Sequence, residues 1–391
     1  MNFTRVVVAG AFLTALPVWG VYAPIPEQEQ GKEWTVTLRA GITHDSNIFG
    51  AQSGAISSMV YEFSPKIAFN ASLSDKTFAS AYYALTLDTF DNRPGDKTLD
   101  SHELFARLDQ TFSPVTSLHV SDNYSIVRNP ESLLAGITLN TDQSYDRNEF
   151  DARFETNFAP QLGTMAKFQS VNYVYDNATL SNSLDHTENL FGLSVNYDVV
   201  PEMKVVAEGR HSDILYSSSG GNKDKHSDFL IGGIDYAVAK KTTVIARLGY
   251  EWRHRDGAQS TTAPYAEFSA KYDYAENSFF SAGYVHTFEE TSNVVLYNDT
   301  KVNRFFVNVQ HAISPLVVAS GSADYEPSQL QGRSPFPNRD ETTTRFGLAL
   351  SYLPGKNWRF TATYDYDNIE SDDPTRGQNR ERAGVSGSYV F

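Results

Sequence analysis

The sequence predicts an all-β transmembrane barrel, and three observations predict it. Apolar and polar residues alternate with a period of two over runs of roughly 10 to 13 residues, about twice the usual length of a globular strand. Tight turns recur about every 40 residues, with longer polar loops between them. No apolar run of 18 residues occurs, so no stretch is suited to cross a bilayer as a helix. A membrane strand needs only one apolar face, so the negative mean hydropathy fits. Together these give a transmembrane antiparallel up-and-down β-barrel of about 16–18 strands, with short periplasmic turns and longer extracellular loops.

Composition supports this class and removes others. The 391 residues are 40% hydrophobic and 13% aromatic, with 22 Tyr and 25 Phe, as ring girdles at two membrane interfaces require. The absence of cysteine excludes a disulfide framework, a thiolate zinc site and a cysteine nucleophile. A net charge of −15 argues against nucleic acid as a partner.

In chain order, residues 1–20 read as a signal peptide: Arg5 is the positive end, Val6 to Val18 the apolar core, and cleavage falls at Gly20 or Ala23. Residues 21–33, rich in Pro, Glu and Gln, read as a periplasmic tether. The barrel then occupies 34–391. Trp34, Val36, Leu38, Ala40 and Ile42 share one face of the first strand, opposed by Thr35, Thr37, Arg39, Gly41 and Thr43. Val244, Ala246, Leu248, Tyr250 and Trp252 oppose Arg247, Glu251 and Arg253. Trp358, Phe360, Ala362, Tyr364 and Tyr366 oppose Arg359, Thr361, Thr363 and Asp365.

Eight tight turns sit around Ser74-Asp75, Ser113-Pro114, Ala159-Pro160, Pro201-Glu202, Lys240-Lys241, Glu276-Asn277, Ser314-Pro315 and Pro354-Gly355, and nine longer loops separate them. The loops near 128–144 and 326–340 are the longest and would be the ones to fold inward. Phe112, Phe158, Tyr197, Tyr236, Tyr274, Tyr352 and Trp358 all lie beside the tight turns. A soluble sandwich or propeller also alternates, but its strands are shorter.

The last strand, Arg380 to Phe391, carries Ala383, Val385, Tyr389 and Phe391 on one face and Arg380, Arg382, Ser386 and Ser388 on the other. In hydrocarbon every backbone polar group must be paired, so Arg382 to Phe391 should meet Trp34 to Ile42 and close the barrel. Tyr389 and Phe391 resemble the terminal signal of many outer-membrane barrels, read by the outer-membrane assembly machinery. That ending, with Ala40 to Phe49 (A-G-I-T-H-D-S-N-I-F) and Asp122 to Glu131 (D-N-Y-S-I-V-R-N-P-E), resembles the putative β-barrel porin family, outer-membrane barrels of mostly unassigned function. The resemblance implies a bacterial outer-membrane location and a pore-like shape. It carries over no catalytic residue.

The wet faces hold the candidate functional residues. Arg107, Arg153, Arg247, Arg304, Arg345 and Arg359, with Glu155 and Glu251, are the candidate pore lining. Two arrangements stay open: facing rows of opposite charge across a constriction, or pairing along neighbouring strands that keeps a wide barrel hydrated. His211, Ser212 and Asp213 have the composition of a triad, but strand neighbours point to opposite faces. The acidic stretches at Asp91, Asp96 and Asp100 and at Asp365 to Asp373 lack calcium-loop spacing, so neither metal nor cofactor is expected. Asp45-Ser46-Asn47 reads as a turn former. The expected function is a passive channel for small hydrophilic solutes, with outer-membrane lipid and lipopolysaccharide as surroundings. The alternative is a non-conducting accessory barrel of an exopolysaccharide secretion system.

Overall fold

The computed structural model describes residues 32–128, 144–217, 224–256, 260–291, 296–373 and 376–391. The expected signal peptide and nearly all of the tether lie outside the described residues. Eighteen strands follow one another: β1 Trp34–Asp45, β2 Ser58–Ser74, β3 Thr77–Phe90, β4 Thr98–Ser113, β5 Thr116–Val127, β6 Tyr145–Ala159, β7 Leu162–Tyr175, β8 His186–Val200 and β9 Met203–Tyr216 in the first half. The second half is β10 Lys225–Ala239, β11 Thr242–Arg255, β12 Thr261–Ala275, β13 Ser278–Glu289, β14 Tyr297–Ser314, β15 Val317–Gly332, β16 Arg339–Tyr352, β17 Trp358–Ser371 and β18 Gln378–Val390. Each pairs antiparallel with its neighbours, and β18 returns to β1, leaving no open edge.

The closing seam runs from Thr37↔Val390 to Asp45↔Arg382. It joins the two strands expected to meet, displaced so that Trp34 to Val36 extend past the ladder. The Phe391 N–H donates to the Val36 carbonyl at 2.9 Å and ties down that end.

All eight tight turns fall where expected. The strand entering seven of them carries a bulge, the device that tightens twist and ends pairing at a barrel rim. At Glu276-Asn277 the turn puts Asn277 at φ 50°, a left-handed conformation that Asn tolerates well.

One loop expectation is corrected. The region 326–340 is not a long loop: β15 runs to Gly332 and β16 starts at Arg339, leaving only the stretch 333–338 between them. Its polar composition misled, because a strand that rises above a membrane needs no apolar face. The loop near 128–144 lies almost wholly outside the described residues. The loop after β7 is also not plain coil. It holds α1, Ala178–Leu184, capped by Asn177 Oδ1, which accepts from Thr179 N at 2.9 Å. Leu180 and Leu184, one turn apart, bury against Tyr175 beside Tyr145 and Tyr173.

The molecule is apolar outside. Leu248 is 69% exposed and Phe158 71%, beside other bare rings such as Tyr250, Trp252 and Trp358. Of the ring set expected beside the turns, Phe112, Phe158, Tyr197, Tyr236, Tyr352 and Trp358 all stand on this bare surface. Exposed apolar area on this scale has its natural environment in hydrocarbon.

Candidate functional site: the barrel lumen

Because side chains alternate across each strand, one residue in two points inward, and the register decides what it meets there. Arg107 pairs with Asp109 at 2.7 Å, Arg153 with Asp151 at 2.9 Å and Arg247 with Asp235 at 2.6 Å. Arg304 sits between Glu326, at 2.6 Å, and Glu289, at 3.1 Å. Arg345 lies 3.7 Å from Asp367, which Arg382 also reaches at 3.0 Å. Glu251 pairs with Arg253 at 3.0 Å. In each case the partner lies on the same strand two residues away, or nearby along the same wall. Of the two arrangements open from the sequence, the ion pairs take the second.

Two candidates sit apart. Arg359 is the second residue of β17, at the rim beside the tight turn rather than deep in its strand. Glu155 is exposed near the turn end of β6 and has no ion pair among the described residues. Tyr389 and Phe391 stand on the outer face, ring centroids 4.6 Å apart in an edge-on contact, and Tyr389 also meets Trp358 at 4.8 Å.

Midway along the wall of β4 to β14 the lumen holds a cavity of about 370 Å³. Its charged lining is Arg153, Lys167, Arg210 and Arg304 with Glu149, Asp151, Glu267 and Glu289. Its rings are Phe105, Phe229, Tyr265 and Phe288. Lys167 and Arg210 share Glu208, each at 2.7 Å. Glu149 accepts from Arg147 and from Gln169, both at 2.7 Å. Sequence reasoning missed the rings, although parity alone puts Phe105 beside Arg107 and Tyr265 beside Glu267.

Above the cavity, the chain after β13 is drawn inward. Glu290 accepts from Lys225 at 2.9 Å and from Arg255 at 2.6 Å, while Arg253 bonds Asp299. Burial pushes the Glu290 carboxyl up, but Lys225 and Arg255 outweigh it and hold the group at about 2. Glu290, just past β13, and Asp299, near the start of β14, are thereby latched to the walls of β10 and β11.

At the extracellular end of the seam, Asp45 and Arg380 form a buried bidentate pair, with Arg380 Nη2 2.6 Å and Nε 3.1 Å from Asp45 Oδ2. Asn47 completes the expected turn: its Oδ1 accepts from Ala51 N at 2.8 Å and its Nδ2 donates to Ala51 O at 2.7 Å. His211 faces outward between Asp228, at 2.8 Å, and Asp213, at 3.3 Å, while the register sets Ser212 on the opposite face. Asp367 of the acidic C-terminal run is held by Arg345 and Arg382.

A family model described as Putative beta-barrel porin 2 matches residues 34–388. Among solved structures, a BenF-like porin from Pseudomonas fluorescens Pf-5 aligns at a TM-score of 0.52 and 12% identity, covering 92% of this chain and 98% of that one. The outer membrane protein opdK from Pseudomonas aeruginosa aligns at 0.51 and 11%, with the same coverage. At such identities the likeness is one of fold, an outer-membrane barrel. No curated protein matches the sequence.

Proposed function

The chain belongs to the Putative beta-barrel porin 2 family, and from that premise we propose that it is a passive diffusion channel of a bacterial outer membrane, admitting small hydrophilic solutes. The observation that carries this reading is the inversion of the molecule: a bare apolar outer surface around a lumen of paired charges and hydroxyls, on a barrel closed by β1 and β18. Rings beside the tight turns would sit at the periplasmic interface and the outer belt in lipid, with lipopolysaccharide around the polar upper rim. The terminal strand, ending at Tyr389 and Phe391, would be the segment that the assembly machinery engages.

Candidate lumen residues Arg107, Arg153, Arg247, Arg304, Arg345 and Glu251 would act as fixed, locally neutralised groups that hydrate the path and set a weak ion preference. Arg359 and Glu155 would act at the periplasmic mouth. No observation of the fold favours the accessory barrel of a secretion system. Conductance of the purified protein in planar bilayers tests the proposal. Discrete current steps are expected, and the absence of current across a range of voltages would overturn it.

A further inference from the structure

We infer that the mid-barrel cavity is a binding site for neutral carbohydrate, and that the solutes this channel favours are small sugars rather than ions. The inference rests on the channel reading and goes further by naming a substrate class. Its first ground is charge balance: four cations and four carboxylates line the cavity, so the lining itself presents no strong field of one sign to recruit an ion.

The second ground is that these charges are already engaged. Arg153 is held by Asp151, Lys167 by Glu208, and Arg304 by Glu289 and Glu326. A bound ion would have to pull one member from its partner. A hydroxyl, which both donates and accepts, uses the remaining lone pairs and N–H groups without separating them.

The third ground is the rings. A pyranose is amphipathic, with C–H faces and an O–H rim, so its complement is an aromatic face beside planar polar groups. Phe229 and Tyr265 meet edge to face at 6.4 Å, and Arg210 lies 5.7 Å from the centre of the Tyr265 ring. On the β4 side Phe105 stacks on Tyr82 at 5.1 Å. Gln169, Asn123 and Glu149 supply planar hydrogen-bonding groups between these rings. A volume of about 370 Å³ lies within the range of small-molecule sites.

The test is single-channel current in KCl with maltotriose added, and separately with benzoate or glycine. Concentration-dependent interruptions by maltotriose and not by the other two are expected. Phe229→Leu, which keeps bulk and removes the ring, should raise the half-blocking concentration about five- to tenfold. Should that variant fail to fold, Phe288→Leu takes its place. Interruption by benzoate or glycine with none by maltotriose would overturn the inference and leave the channel reading intact. Should the wild-type protein carry no current, equilibrium dialysis of radiolabelled maltotriose against the detergent-solubilised barrel decides: retention supports the site while the channel reading falls, and no retention overturns the site as well.

Discussion

Arg380→Met should destabilise the barrel by about 3–5 kcal/mol, through a charge left buried at the seam. Arg380 and Asp45 are each only 3% exposed, and the guanidinium gives the carboxylate three nitrogen–oxygen contacts of 2.6 to 3.1 Å. With Arg380 removed, Asp45 keeps, among the described residues, only the backbone N–H of Asn47, at 2.9 Å, to offset its desolvation. The seam has little to spare, since β1 and β18 match at nine positions whereas β1 and β2 match at twelve. The double variant Asp45→Asn with Arg380→Met leaves no buried charge and should recover most of the loss, with a coupling of roughly 2–4 kcal/mol. Urea unfolding in detergent micelles, followed by tryptophan fluorescence, measures all three variants and the wild type. A single-variant cost below about 1 kcal/mol, or strictly additive effects, would refute the claim that this pair clasps the closing strands.

Deleting Phe391 removes an outer-face ring and the N–H bond to Val36, so the amount of folded barrel in outer membranes should fall, while channels that do assemble keep their unit conductance. Normal assembly of the truncated protein would remove the terminal strand from its role as a signal. Arg153→Ala leaves Asp151 unneutralised in the lumen, so the reversal potential in a KCl gradient should move toward cation preference; an unmoved potential would place Arg153 off the ion path. For Glu290 the folded-state value of about 2 lies below the ordinary one of 4.5, so its ion pairs contribute fully above about pH 4.5, and the contribution is lost as pH falls toward and through 2. Channel-current fluctuations should therefore be steady down to about pH 4 and rise only below it, whereas Glu290→Gln should show the fluctuating behaviour at neutral pH.

What was legible in the sequence was local, and what was not depended on closure. Period-2 alternation, with Pro, Asn and Lys-Lys turn residues, located the eight tight turns. The partners were another matter. Arg247 reaches Asp235 across the β10–β11 hairpin, where a bulge between Ala237 and Ala239 shifts the register. Asp45 and Arg380 are 335 positions apart and become neighbours only because the ends of the barrel meet. Asn177 with Leu180 and Leu184 did carry a readable signal for α1, a cap followed by an apolar pair one turn apart. The polar ends of β15 and β16 carried none, because above the membrane neither face is required to be greasy.

Width and charge pattern together explain why a barrel of this size would discriminate at all. Eighteen strands enclose room for an aqueous path, yet on β4 to β14 the inward positions carry long side chains that reach into it. Had those chains been charged and unpaired, repulsion would hold them apart, and the field would favour one sign of ion. Pairing along each wall cancels the field over a distance shorter than the Debye length of about 8 Å at physiological salt, so a passing ion meets dipoles rather than charges. Each pair also pins two flexible side chains, giving the rings between them fixed positions. On the proposed reading the wall would select by shape and hydrogen bonding, and single substitutions that unbalance a pair should convert it to selection by charge.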